Sequence, residues 1–337
     1  MDRRQSIRPP TRRVLLTGPA GLIGLAAASA GQAQQAPGAP QTNTPTRTKG
    51  PAVWLDLDQK ALDDAYDQSV YAPNQQSVNQ RRGIASRLVR ETHTPQRHAY
   101  GTSEIEKLDF YRTKRGNAPV QIFVHGGAWR SGLAKDHASA AEMAVKAGAN
   151  YVVLDFINVV ESGGDLMPMI DQVRRGIAWV AKNARRLGGN PDRIYISGHS
   201  SGAHLAGVAT ITDWKKDHGL PANVIKGAIL CSGMYELKPV RLSARSNYVK
   251  FNDAMEDALS TQRHIGRVGC PLIVAHGTLE TPEFQWQSRE FVAAMKAAGK
   301  AAELIVGEGF NHFEMPETFA SPYGLLGRAM LRQMRLG

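Results

Sequence analysis

The sequence predicts an α/β protein with one mainly parallel central sheet and helices on both of its faces. From Tyr100 onward, short β-branched runs alternate with longer segments of helical period. The later runs are continuous apolar stretches, the pattern of strands buried on both faces. Such alternation implies right-handed crossovers between parallel strands. Neither an internal repeat nor a second composition regime interrupts it, so one domain is expected over residues 52–337.

In chain order, the expected strands are 107–111, 120–124, 151–156, 194–197, 224–230, 272–275 and 303–306. The clearest helix carries Ile170, Val173, Ile177, Val180 and Ala184 at three- and four-residue steps, with Gly188 just past its end. Residues 284–298 and 325–334 form two more. Residues 237–267 lie between two core strands and form a lid-sized insertion, helix-like over 252–259. Residues 54–74 precede the sheet and either fold over the pocket or pack against the core through Leu55, Leu57, Leu62 and Tyr66.

The chain has 337 residues, 42% hydrophobic and 21% charged, which is too apolar for a disordered protein. Its net charge of +11 would suit nucleic acid or an anionic surface only if it were clustered. Only +4 of it gathers, at the start, where Arg3, Arg4, Arg8, Arg12 and Arg13 face only Asp2. A charge-free Gly/Ala-rich run follows to Ala28, then small residues through Ala33. Positive region, short apolar region and small-residue cleavage site, in that order, read as an export signal over 1–33. Arg12-Arg13-Val14-Leu15-Leu16 gives it a twin-arginine character. The expected partner is therefore the twin-arginine export machinery, and the expected location is periplasmic or secreted. Residues 34–51 read as a disordered leader. The remaining charge is dispersed, so no nucleic-acid partner is expected, and no apolar run is long enough for a stable membrane span in the mature chain.

Ligands of parallel sheets bind outside the carboxyl ends of the strands, and three loops there carry chemistry. Gly198-His199-Ser200-Ser201-Gly202 is a G-x-S-x-G sequence between a strand and a helix, the context in which a strained turn lifts a nucleophilic serine clear of the sheet. Ser200 is the expected nucleophile, and Ser201 contributes a backbone N–H. His125-Gly126-Gly127-Ala128-Trp129 follows the strand at 120–124. Its unshielded amides suit an oxyanion hole, with Gly127, Ala128 and Ser201 as donors. Gly126 serves the turn, His125 braces the loop and Trp129 packs in the core. A phosphate-binding glycine turn would need a G-x-G-x-x-G spacing that is absent.

His312 follows the last strand and is the expected base; an acid after the penultimate strand completes the chain order of a Ser–acid–His triad. Glu280 is the first choice for that acid. Glu283 competes, although Thr281 as N-cap and Pro282 as N1 would place it in the first turn of a helix. Glu308 is a weaker candidate. His199, His204 and His276 read as hydrogen-bonding supports, since no metal-ligand spacing accompanies them.

These motifs resemble those of the α/β-hydrolase superfamily, in its arylformamidase-like and HGGxW carboxylesterase branch. His125–Trp129 and Gly198–Gly202 carry the resemblance, with Cys231-Ser232-Gly233-Met234-Tyr235, Thr281-Pro282-Glu283-Phe284 and Asn311-His312-Phe313-Glu314. It implies an α/β-hydrolase domain over 52–337, a catalytic Ser200–Glu280–His312, and no metal or organic cofactor. The implied activity is cleavage of small or aryl carboxylic esters through an acyl-enzyme. Aryl amide or formamide hydrolysis on the same residues is the alternative. Kynurenine-pathway formamidase activity ranks behind because that pathway is cytosolic and this N-terminus reads as an export signal. From another class, a non-catalytic binding protein on a hydrolase scaffold would be expected to have lost one of these groups. The acid departs from the family's commoner Asp. Cys231 and Cys270, at opposite ends of adjacent strands, are expected to be unpaired and largely buried thiols.

Overall fold

The computed structural model describes residues 49–336. The expected export signal at 1–33 and most of the expected leader at 34–51 lie outside the described residues. Two short strands, β1 (Ala52–Trp54) and β2 (Leu57–Asp58), form an antiparallel ladder. Eight strands build the main sheet: β3 (Gln96–Ala99), β4 (Lys107–Tyr111), β5 (Ala118–Val124), β6 (Asn150–Leu154), β7 (Gly189–His199), β8 (Ile225–Cys231), β9 (Leu272–Gly277) and β10 (Ala302–Gly307). Their spatial order is β3-β4-β6-β5-β7-β8-β9-β10, and β4 runs antiparallel to both of its neighbours. From β6 to β10 every pairing is parallel.

The helices are α1 (Gln59–Ala65), α2 (Gln75–Thr92), α3 (Ala141–Lys146), α4 (Met167–Asn183), α5 (Ser201–Thr210), α6 (Trp214–His218), α7 (Lys238–Leu242), α8 (Asp253–Leu259), α9 (Pro282–Ala297) and α10 (Leu325–Gln333). Alternation along the strands divides the core into two layers. Ile122, Leu230 and Val274 join the cluster that holds Ile177 of α4, Leu205 of α5 and Phe291 of α9. Their neighbours Phe123, Ile229 and Ile273 join Ala144 of α3 and Met330 of α10 on the other face. Every residue of α5 is buried, as expected of a helix that is apolar all round.

Three elements differ from expectation. β10 is the edge of the sheet rather than a strand buried on both faces, and Val306 is 42% exposed. β3 has no signature in the sequence, because its polar residues Gln-Arg-His-Ala pair on one side only, with β4. Helix α2 is equally silent, because only Val78, Ser86 and Val89 of its 18 residues are buried, too few to write an apolar period. The 237–267 insertion contains α7, α8 and two 3-10 turns, and Asn252 caps α8 by accepting the Met255 N–H at 2.8 Å. In the 54–74 segment Leu62 and Tyr66 are buried whereas Leu55 is exposed, and Tyr66 also lines the cleft.

The cysteines behave as their register requires. Cys231 pairs with Ala275, five positions along from Cys270, which at about 3.3 Å per residue puts the thiols far beyond bridging distance. Both are free, Cys231 fully buried and Cys270 partly exposed. Among the described residues no helix is long and apolar enough to cross a membrane.

Candidate active site

Ser200 stands between β7, near the middle of the sheet, and α5. Its backbone sits at φ 57°, ψ −126°, a left-handed conformation that costs a non-glycine residue on the order of 1–3 kcal/mol. The flanking glycines allow it. A Cβ on Gly202 would collide with the carbonyls of Val124 and His125, and one on Gly198 with the carbonyl of Gly202. The turn is pinned by the Ser200 N–H, which donates to the Cys231 carbonyl at 2.9 Å. Ser200 remains 6% exposed, its Oγ at the floor of a cleft.

His312 follows β10, and its Nε2 lies 2.9 Å from Ser200 Oγ. Its Nδ1 lies 2.8 Å from Glu280 Oε2. Glu280, 1% exposed, follows β9. Its other oxygen, Oε1, accepts the Ser232 hydroxyl at 2.6 Å and the Gly277 N–H at 2.7 Å. The two loops are tied to each other, the Leu279 N–H donating to the Phe310 carbonyl and the Gly309 N–H to Thr278 Oγ1. Asn311 fixes the approach to His312 by accepting the Phe313 and Glu314 N–H groups.

The competing acids lie elsewhere. Glu283 is in the first turn of α9, where Tyr66 donates to it at 3.2 Å, and burial pushes its carboxyl up to about 7. Glu308 is exposed. Thr281 occupies the N-cap position of α9 without capping it. Its hydroxyl instead donates to the Ala65 carbonyl at 2.7 Å, tying the N-terminal segment to the site.

The loop after β5 has three consecutive residues at positive φ: Gly127, Ala128 and Trp129. Trp129 staples it to the nucleophile turn, its N–H donating to Ser201 Oγ at 3.1 Å and its indole to His204 Nδ1 at 3.2 Å. His204 Nε2 in turn meets the Leu259 carbonyl at 3.1 Å, so the imidazole is neutral, and burial lowers its pKa to about 4. Among the described residues, no acceptor takes the N–H groups of Gly127, Ala128 or Ser201. Gly127 and Ala128 line the same cleft as Ser200 and His312. Gly126 is excluded from bearing a side chain, since a Cβ would sit 2.6 Å from the His199 carbonyl.

Of the supporting histidines, His199 places Nε2 2.8 Å from the His312 carbonyl, and burial beside His312 holds its pKa well down. His125 stacks on Phe156 at 4.2 Å and contacts the Gly126 carbonyl. His276 contacts the Gly277 carbonyl at 3.2 Å. Two contributors carry no role in the sequence-based assignment. Ser232 stands out there only within a family motif; its position after β8, next to the acid's strand, is the signal for its role. Arg82 lies on α2, which the apolar pattern does not mark, and lines the cleft. That cleft holds about 630 Å³, within the usual range for a small-molecule site.

Strand order, the turn carrying Ser200 and the loops after β5, β9 and β10 define the α/β-hydrolase fold. The family model named BD-FAE matches residues 108–230. Kynurenine formamidase of Danio rerio is 29% identical over 296 residues, covering 83% of this chain and 98% of that protein. The isoprenylcysteine α-carbonyl methylesterase of Arabidopsis thaliana is 26% identical, covering 64% of this chain and 56% of that protein. The solved esterase of Thermogutta terrifontis superposes with a TM-score of 0.57 at 22% identity, covering 71% of this chain and 89% of that one. The chain has the α/β-hydrolase fold and is similar to carboxylesterases and arylformamidase-like hydrolases. It is a hydrolase of ester or amide substrates.

Proposed function

We propose that the chain is a serine hydrolase that cleaves carboxylic esters of small or aryl substrates through an acyl-enzyme. The line Ser200 Oγ–His312 Nε2 at 2.9 Å and His312 Nδ1–Glu280 Oε2 at 2.8 Å carries the reading. As Ser200 Oγ attacks the carbonyl carbon, its proton passes to His312 Nε2, and Glu280 holds the tautomer and stabilises the imidazolium. The N–H groups of Gly127, Ala128 and Ser201 receive the oxyanion, assisted by the N-terminus of α5. Collapse breaks the bond to the leaving group, which takes the proton from His312. Water, deprotonated by the same imidazole, then releases the acid and restores Ser200.

Amide or formamide cleavage is the second reading, favoured by the similarity to a kynurenine formamidase over nearly all of that protein's length. The same residues would serve it, with an amine as leaving group. We further propose export by the twin-arginine route to a periplasmic or extracellular location, on the strength of residues 1–33 alone.

A panel of p-nitrophenyl esters and anilides, with wild type and Ser200→Ala, tests the assignment. Short esters should turn over and Ser200→Ala should lose activity by orders of magnitude. No hydrolysis of any short ester or anilide would overturn it. Fusing residues 1–33 to a reporter tests export, which should fail when Arg12 and Arg13 are both changed to Lys.

A further inference from the structure

The cleft above Ser200 is lined by three arginines, Arg82, Arg130 and Arg245, and among the described residues none of them is ion-paired. Arg245 lies in the 3-10 turn Ala244–Asn247 of the insertion and is only 9% exposed. Its Nη1 donates to the Tyr248 hydroxyl at 2.7 Å and its Nη2 to the Tyr66 carbonyl at 3.0 Å, while Nε is buried with no partner. The rings of Trp129 and Tyr66 flank it at 5.6 and 6.0 Å. Arg130 lies over the face of Tyr248 at 4.5 Å. Tyr248 thus holds one guanidinium at its hydroxyl and a second on its ring. Arg82 lines the same cleft, its Nη2 3.4 Å from His137 Nδ1.

Several other arginines of the chain are paired with carboxylates. Arg90 and Arg97 meet Asp109, Arg97 also meets Asp155, and Arg175 meets Glu106. Among the described residues, none of Arg82, Arg130 and Arg245 has such a partner. The cleft also contains Asp63 and Asp67, whose charge offsets part of the excess, but neither is paired with these arginines. Asp63 Oδ1 accepts the Ala244 N–H and Gln59 Nε2, and Asp67 Oδ1 accepts the N–H and hydroxyl of Ser69. A nine-tenths buried guanidinium with spare donors and a second one beside it is costly to bury without a counter-charge. Cation–π contacts with the flanking rings offset only part of that cost. A carboxylate in the cleft would accept from the hydrogens that remain on Nη1 and Nη2 of Arg245 and relieve the repulsion between the pair.

We propose that the cleft selects substrates bearing a carboxylate on the acyl or leaving side of the scissile bond, with Arg245 and Arg130 as its receptors. The proposal rests on the hydrolase reading above and names a substrate class for it. Dispersed positive charge would favour anions weakly and at any position; two guanidiniums joined through one tyrosine in a bounded cleft favour one reach from Ser200.

Isosteric pairs test this. On the acyl side, p-nitrophenyl hydrogen glutarate is compared with p-nitrophenyl 4-carbamoylbutyrate; on the leaving side, 3-acetoxybenzoate with 3-acetoxybenzamide. In at least one pair, wild-type kcat/KM should favour the carboxylate about tenfold or more, and the preference should shrink as ionic strength rises. Arg245→Gln should reduce that acid-to-amide ratio severalfold. Because Arg245 is buried and its variant could fail to fold, Arg130→Gln, on an exposed side chain, should reduce the ratio in the same direction. A purely structural role would lower both members of a pair alike and leave the ratio unmoved. Ratios at or below one in both pairs, with Ser200-dependent hydrolysis intact, would overturn the carboxylate subsite alone. Absence of all hydrolysis would overturn the hydrolase reading and this proposal together.

Discussion

Glu280→Gln is the substitution that most directly tests the assignment of the acid. Glu280 accepts three hydrogen bonds: Ser232 and Gly277 on Oε1, His312 on Oε2. In the variant, the amide oxygen keeps two of these if it takes the place of Oε1, which leaves the NH₂ pointing at His312 Nδ1. Two donors cannot face each other, so the imidazole must carry its proton on Nε2, where it can no longer accept from Ser200. The alternative amide rotamer keeps His312 but opposes the NH₂ to the Ser232 hydroxyl and the Gly277 N–H. Only the hydroxyl can rotate away, so a buried N–H clash remains and costs on the order of 1–3 kcal/mol. The first arrangement is therefore favoured. In serine proteases, the wrong imidazole tautomer produced by an acid-to-amide change at the triad lowers kcat by about 10⁴. Here a fall of about 10³ to 10⁴ in kcat on p-nitrophenyl acetate at neutral pH is expected on the same grounds, with KM little changed. Glu280→Asp should recover part of the loss, and Glu283→Gln should stay within about threefold of wild type. Circular dichroism would verify folding. A folded Glu280→Gln enzyme within tenfold of wild type, or equal losses in the two glutamate variants, would refute the assignment.

Ser232→Ala removes one of two donors on Glu280 Oε1 and should lower kcat/KM about 10- to 100-fold, a hydrogen bond to a charged group being worth roughly 1.5–3 kcal/mol; steady-state kinetics reads it. Gly126→Ala would set a Cβ 2.6 Å from the His199 carbonyl and 3.1 Å from Ser200 Cβ, and kcat should fall by at least about tenfold in the same assay as the catalytic turn shifts. The buried Glu283, with a carboxyl pushed up to about 7 against an ordinary value near 4.5, favours the folded state while protonated. That contribution is complete below about pH 4.5 and lost as pH rises through 7, amounting to at most roughly 3 kcal/mol. Denaturant titrations should show the wild type losing stability over this interval relative to Glu283→Gln. Thiol titration should find two free thiols under denaturing, non-reducing conditions, with Cys231 unreactive in the native protein, because burial and the nearby Glu280 raise its pKa.

What is legible in the sequence is what local chemistry enforces. The turn at Ser200 needs glycine at 198 and 202 because backbone passes where a Cβ would stand, so the requirement is written within five residues. Strands β6 and β9 announce themselves because burial on both faces demands apolar runs, YVVL over 151–154 and LIVA over 272–275. β3 and α2 leave no such trace. A sheet-edge strand pairs through its backbone, and a polar helix held by Ser86 on the Asp136 carbonyl, and by Arg81 on Glu317, is anchored by contacts distant in sequence. The choice between Glu280 and Glu283 stays open in the sequence for the same reason. Both follow β9, and what separates them is Ser232, 48 residues upstream on the neighbouring strand's loop.

The same division bears on how the site can change. The nucleophile turn and oxyanion loop follow β7 and β5, two adjacent fully paired strands, and are stapled together by Trp129, Ser201 and His204. Their geometry is fixed by steric exclusion, so substitutions there should act on kcat for every substrate. The guanidiniums come instead from α2, from the end of the oxyanion loop and from the insertion between β8 and β9, and none is locked by an ion pair. Arg130 is exposed, and Arg245 is held through the backbone of Tyr66 and the hydroxyl of Tyr248. Exchanging Arg245 or Arg130 for a neutral residue alters the charge of the cleft at side chains that make no hydrogen bond to the turn at Ser200, Arg245 reaching it only through the ring of Trp129. Selectivity in this chain should therefore be separable from turnover: a double variant, Arg130→Gln with Arg245→Gln, should invert or abolish the preference for anionic esters and still require Ser200. An invariant acid-to-amide ratio across that series would place selectivity in the shape of the cleft rather than its charge.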